Sequence, residues 1–252
     1  MTALPVPRKI WGLWMQGWDS APDIVRACRA SWSLQNPYWT TNFLSADDLH
    51  EFVPASSPVR DLDAKKIPSA AFSDIIRNEL LARHGGVWVD ATTYCLRPLD
   101  GWLGHAAASG FFAFSQPGVG RMLSSWFLAA ESEGYIPRTW LKATYAYWDG
   151  RTKPDNYYWL HQLFAEGYRA DASFKRIWDE TPRLSAEGPH SFLPYRQKLF
   201  APVGDFHRLI VDTVQTPMLK LTHKIDHRLG RPGTVYRWLC DRAGVAPTEG
   251  AT

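Results

Sequence analysis

The stretch Ser69–Thr93, SAAFSDIIRNELLARHGGVWVDATT, decides the fold of this chain. Phe72, Ile75, Ile76 and Leu80 recur at helical spacing, with Asp74, Arg77 and Asn78 as a polar stripe beside them, so the spacing predicts an amphipathic helix. Gly85 and Gly86 follow, at the place where a helix ends with positive φ. Val87, Trp88 and Val89 then read as a short buried strand that delivers Asp90 at its C-terminal end. Ligands of open α/β sheets bind outside the carboxyl ends of the strands. A carboxylate aimed there is a candidate for holding a metal–phosphate group.

Working outward, Arg8–Met15 predicts a first buried strand, a turn, and a helix from Pro22 to Leu34, with Pro22 and Asp23 suited to its first turn. Tyr38–Leu44 predicts a second strand, and Ser45 an N-cap for a short helix containing Asp47, Asp48 and Leu49. Pro54–Asp63 reads as a loop. This alternation predicts an α/β fold with a mainly parallel sheet and helices on both faces. Beyond Leu99 the pattern loosens into a helical and irregular half. Phe111–Ser115 reads as a strand, Pro137–Trp148, Asn156–Tyr168 and Asp171–Trp178 as helices, and Glu187–Asp205 as loop with short strands.

Composition fits a globular enzyme. The chain has 252 residues, 45% hydrophobic and 21% charged, enough to bury a sizeable core. A formal net charge of +3 gives no reason to expect a nucleic-acid partner. Thirteen Trp is a high count, and indole faces suit sugar rings and nucleobases as well as cores. Cys28, Cys95 and Cys240 form no CxxC pair, which argues against a zinc site or a disulfide framework and points to a reducing compartment. No apolar run resembles a signal peptide or approaches the ~20 residues that span a bilayer, so a cytoplasmic location is expected. Between Pro217 and Arg242 six cations face two anions, a local +4. That segment reads as a solvated helix face, a pyrophosphate contact, or a peripheral contact with an anionic membrane surface.

The signature stretch closely resembles that of the DXD-type sugar-transferring glycosyltransferases, in particular their capsular polysaccharide synthesis branch. Ser73, Asp74, Ile75, Arg77, Leu80, Leu81, Gly85, Gly86, Trp88, Asp90, Ala91 and Thr92 stand in the family's order. KIWGLWMQGWDSAP (Lys9–Pro22), SSWFLAAE (Ser124–Glu131), YYWLHQLF (Tyr157–Phe164), GPH (Gly188–His190) and TPMLKLTHK (Thr216–Lys224) resemble further blocks, collinear across most of the chain. The resemblance implies a GT-A-like, Rossmann-like fold in one domain over residues 1–252. Residues 1–104 would bind the nucleotide sugar; 105–252 would form the acceptor side and return to the pyrophosphate.

The family's roles carry over residue by residue. Asp90 would hold a divalent metal, Mn2+ or Mg2+, on the donor's pyrophosphate. The broader family has Asp-X-Asp, whereas this chain has Asp90-Ala91-Thr92, so the second charged ligand is missing. His223 is then the expected distal ligand, with His190 and His161 as competitors. Asp74 and Arg77 would bind donor sugar hydroxyls, the Asp as acceptor and the Arg as a fixed fork of donors. Asn78, Ala91 and Thr92 join the donor-binding set, and Lys224 would offset pyrophosphate charge. Trp14 matches the residue that stacks on the donor base, and Gln16 would contact the ribose or base.

The function implied is transfer of a sugar from a UDP- or GDP-linked donor to a glycan or lipid-linked glycan acceptor, with retention at the anomeric carbon. Double displacement would need a carboxylate nucleophile. None can be assigned from spacing, so a front-face route with the leaving phosphate accepting the proton is the expectation. The alternatives are a sugar-phosphate transferase of capsule assembly and a non-catalytic carbohydrate-binding protein.

Overall fold

The computed structural model describes residues 4–191, 199–213 and 216–248. In chain order the elements are β1 (Lys9–Leu13), α1 (Asp23–Gln35), β2 (Thr40–Leu44), α2 (Leu49–Phe52), α3 (Val59–Ala64), α4 (Ser69–His84), β3 (Gly86–Val89) and β4 (Thr93–Cys95). Then follow α5 (Leu103–Ala106), β5 (Phe111–Ser115), β6 (Leu123–Ala130), α6 (Tyr135–Trp148), α7 (Trp159–Ala170), α8 (Ala172–Glu180), α9 (Asp205–Asp212), β7 (Met218–Lys220) and α10 (Val235–Arg242).

The main sheet has the order β2-β1-β3-β6-β5. β2, β1 and β3 are parallel, β6 is antiparallel to both β3 and β5, and β5 therefore runs with the first three. The sheet is thus mainly parallel with one reversed strand. Side chains alternate between its faces along each strand. Trp11, Leu13, Trp88, Leu128 and Phe111 pack with α4 and α6–α8, whereas Ile10, Val87, Val89, Phe127 and Phe112 pack with Trp32 of α1 and Leu99 and Leu103. Helices cover both faces, as the alternation predicts.

A second, two-stranded sheet pairs β4 with β7, Thr93 opposite Lys220. It brings the C-terminal part of the chain back beside the signature. A third apolar cluster, from α1, β4, β7 and α10, backs it. There the buried Arg237 reaches Asp23 of α1 at 3.2 Å.

Three local expectations are corrected, and one block with no assigned structure is placed. Ser45 is not the cap of α2: its N–H and hydroxyl both donate to Asp48 Oδ2 at 2.7 Å, so Asp48 is the acceptor of that turn. The Pro54–Asp63 loop contains most of α3. SSWFLAAE forms most of β6, an interior strand between β3 and β5 that its family block alone did not assign. Helix α4 is buried on nearly every side: Asp74 of its polar stripe stays partly exposed, but Arg77 and Asn78, with Glu79 beside them, are at 4%, 1% and 0% exposure. Each of these three has a partner in place of water, which burial requires. Within the loop expected over Glu187–Asp205, residues 192–198 lie outside the described residues.

The stop of α4 is set by its glycines. Gly85 has φ 60° and Gly86 φ 95°. A Cβ at Gly86 would stand 2.6 Å from the Lys9 carbonyl oxygen. The turn therefore requires glycine for both conformation and space, and it fixes where Asp90 emerges.

Candidate active site

A cavity of about 690 Å³ opens at the C-terminal ends of β1 and β3. Its floor is the turn after β3. The Asp90 N–H donates to the Trp126 carbonyl at 2.9 Å, and the Thr93 N–H closes back on the Asp90 carbonyl at 2.9 Å. Asp90 is thus held by backbone before its side chain makes any contact.

Arg77 links the two carboxylates. Its guanidinium pairs with Asp74 at 3.1 Å and with Asp90 Oδ1 at 3.0 Å, and it donates to the Ser125 carbonyl at 2.8 Å. The same group lies over the Trp88 ring, 5.2 Å from its centroid, while the Trp88 indole N–H donates to Asp90 Oδ1 at 3.1 Å. Arg77 Nε is buried without a partner. With both terminal nitrogens engaged inside the protein, Arg77 mainly positions the carboxylates.

The other side of Asp90 is covered by a residue outside the expected set. Lys220, at the end of β7, places Nζ 3.5 Å from Asp90 Oδ2 and donates a short hydrogen bond to Thr92 Oγ1. Burial raises the Asp90 carboxyl, but the charges of Arg77 and Lys220 and the bonds from Trp88 and Lys220 outweigh it and hold the group below the usual carboxylate range. Asp74 has only Arg77 beside it. Burial dominates there, with Asp90 as a nearby like charge, and the carboxyl is raised to about 6.

Of the residues expected from sequence, Trp14, Asp74, Arg77, Asp90, Ala91, Thr92, His223 and Lys224 line this one cavity. Two expected residues are elsewhere. Asn78 lies on the α6 side of α4, where its amide donates to Thr144 Oγ1 at 3.2 Å. Gln16 is exposed in the turn after β1 and is not among the lining residues. Trp14 is half-buried and meets the His223 ring edge-on at 5.2 Å. His161 and His190 also line the cavity. Burial, reinforced by nearby cations, pushes His161 down to about 4 and lowers His190 and His223, so all three favour the neutral form.

The +4 segment is not one patch. Lys220 and Lys224 face the cavity and Arg237 is buried against Asp23, whereas Arg228 pairs with Asp226 on the surface and Arg242 with Asp212. The sequence marks Lys220 only as one cation of that segment; its place beside Asp90 follows from the β4–β7 register, which no local pattern announces.

The donor set does not fit a metal held by the protein. Asp90 Oδ1 is taken by Arg77 and Trp88, and Oδ2 faces Lys220. Thr92 is bonded to the same lysine. Among the described residues, no group of three or more His, Cys, Asp or Glu side chains could hold an ion. Among them, too, no helix is long and apolar enough to cross a membrane, and all three cysteines are free and buried.

Comparison with known proteins adds the following. The sequence model of the family described as "Capsular polysaccharide synthesis protein" matches residues 4–239. An "O-glycosyltransferase braB" of Annulohypoxylon truncatum is 24% identical over 170 residues, 60% of this chain and 40% of the relative. An "Initiation-specific alpha-1,6-mannosyltransferase" of Saccharomyces cerevisiae is 29% identical over 105 residues, 39% of this chain and 22% of the relative. The chain therefore spans two fifths or less of the length of these relatives. Among solved structures, a "PaToxG Glycosyltransferase" superposes with TM-score 0.47 at 14% identity, covering 76% of this chain and 86% of that one.

Proposed function

We propose that this chain, which belongs to the capsular polysaccharide synthesis protein family, is a glycosyltransferase that moves a sugar from a nucleoside-diphosphate donor to a glycan or lipid-linked glycan acceptor. The observation that carries this reading is the Asp74–Arg77–Asp90–Lys220 constellation at the strand ends of a single cavity. It offers Asp74 as an acceptor for sugar hydroxyls beside Lys220 as a cation for a diphosphate, which a simple carbohydrate-binding surface does not need. The names of the relatives, an O-glycosyltransferase and a mannosyltransferase, agree with it.

The donor would lie with its base at Trp14, its diphosphate between Lys220 and Lys224, and its sugar over Asp74. In the reaction the bond from the anomeric carbon to the phosphate oxygen breaks, and a bond to the acceptor oxygen forms. The acceptor's proton passes to the leaving phosphate, and a nucleoside diphosphate departs. Asp74 and Asp90 are the carboxylates among the described lining residues, and both are tied to Arg77. Neither is left as an unengaged nucleophile, which favours front-face transfer with retention over double displacement. Tyr157, 78% exposed on the rim, offers a ring face to an acceptor sugar.

The test is product analysis with a panel of UDP- and GDP-sugars and glycan acceptors. Release of nucleoside diphosphate with a glycosylated acceptor is expected. Asp90→Asn, which keeps the size of the side chain and removes its charge, should lower that rate ~100-fold or more in protein that is still folded, with a lower melting temperature because Arg77 and Lys220 lose their shared partner. Release of nucleoside monophosphate would point to sugar-phosphate transfer, and donor binding without any product to a carbohydrate-binding protein.

A further inference from the structure

Building on the glycosyltransferase reading, we propose that Lys220 is a built-in cation for the donor's diphosphate, standing where a divalent metal would otherwise be needed, and that the site operates without metal.

The position of Lys220 is fixed by backbone. In the β4–β7 pair it stands opposite Thr93, two residues past the Asp90-Ala91 turn. Its own N–H donates to the Pro189 carbonyl at 2.8 Å, and the next N–H, of Leu221, donates to the Thr92 carbonyl at 2.7 Å. The side chain is 16% exposed, so its ammonium has few places to go besides the cavity floor. It lies between the one acid of Asp90-Ala91-Thr92 and the hydroxyl that replaces a second acid.

Charge bookkeeping disfavours a metal resident on the floor before the donor arrives. Asp74 and Asp90 are balanced by Arg77 and Lys220 before any ligand arrives, with Lys224 also on the cavity wall. A divalent ion added to this floor would carry two further positive charges into a partly buried site, against like charges on Lys220 and Arg77. A diphosphate instead brings the negative charge that the floor can accept. An ammonium has three N–H donors, and with one on Thr92 and another facing Asp90 the third can turn to a phosphate oxygen. As the sugar leaves, the charge growing on the departing phosphate oxygen is met by a cation already fixed in place. The Thr at position 92 is then matched to the Lys at 220, since an acid there would be held by the same ammonium.

The experiment is calorimetric titration of UDP and GDP into the full chain, in EDTA and in excess Mn2+, with the free nucleosides as controls. The wild type should bind one diphosphate in EDTA with a Kd within about threefold of that in Mn2+. Lys220→Met should weaken diphosphate binding about tenfold or more and leave nucleoside binding unchanged, and Lys220→Arg should restore most of the loss. Binding only with Mn2+, or Lys220→Met binding as tightly as wild type, overturns the metal-free site while leaving sugar transfer intact. Binding of neither diphosphate in either condition overturns both proposals. If Lys220→Met does not fold, the wild-type comparison in EDTA and Mn2+ decides alone.

Discussion

Asp74 and Asp90 share Arg77 yet are driven in opposite directions, and the difference is Lys220, which pairs with Asp90 only. The consequences for stability have opposite signs. For Asp90 the unfolded state binds protons more readily, so its contribution is present above the usual carboxylate range and is lost as pH falls through its lowered value. For Asp74, raised to about 6 from an ordinary 3.8, the folded state holds the proton longer, and stability declines as pH rises across that window. An ionised Asp74 accepts hydroxyl protons, whereas a protonated one has lost part of that capacity. Affinity for a nucleotide sugar should therefore fall as pH drops through about 6, and the Asp74→Asn variant should show a flat profile in the same window. A wild-type profile that is equally flat would separate Asp74 from the sugar.

Helix α4 carries cavity-facing and core-facing polar residues on one element, and their phase decides which is which. Asp74 and Arg77 turn to the cavity, while Asn78 turns to Thr144 of α6, and Glu79 receives Ser57 at 2.8 Å and Arg83 at 2.6 Å. Asn78→Ala should cost about 1–2 kcal/mol of stability, because Thr144 loses a buried partner, and leave donor KM unchanged. A large rise in KM at an unchanged melting temperature would return Asn78 to the site. The sequence made the helix, its glycine stop, the strand and Asp90 legible, because each depends on near neighbours. It read the polar stripe as a separate face, since a 3.6-residue period reports which residues share a side and not whether that side meets water or α6. Ser45 and Asp48 illustrate the same limit: the residue types of a capping turn were visible, but not which one accepts.

At the scale of the whole molecule, the cavity exists because distant segments meet. β1 supplies Trp14, β3 supplies Asp90, and β7 returns to β4 with Lys220, held from behind by α1 and α10 through the Arg237–Asp23 pair. The blocks that carry the resemblance are the pieces that converge, so the site was legible in outline. Lys220 was legible only as one cation of the +4 segment, because its place beside Asp90 depends on a strand register spanning more than a hundred residues. In the proposed reading sugar and diphosphate would be held by different segments, so their contributions can be measured apart. Calorimetry of a nucleotide sugar and its nucleoside diphosphate, each against wild type and Asp74→Ala, tests this most directly. The account predicts that Asp74→Ala loses about tenfold or more affinity for the nucleotide sugar while binding the diphosphate nearly as wild type does. Equal losses for the two ligands would contradict it, and would assign Asp74 to packing or to the phosphates.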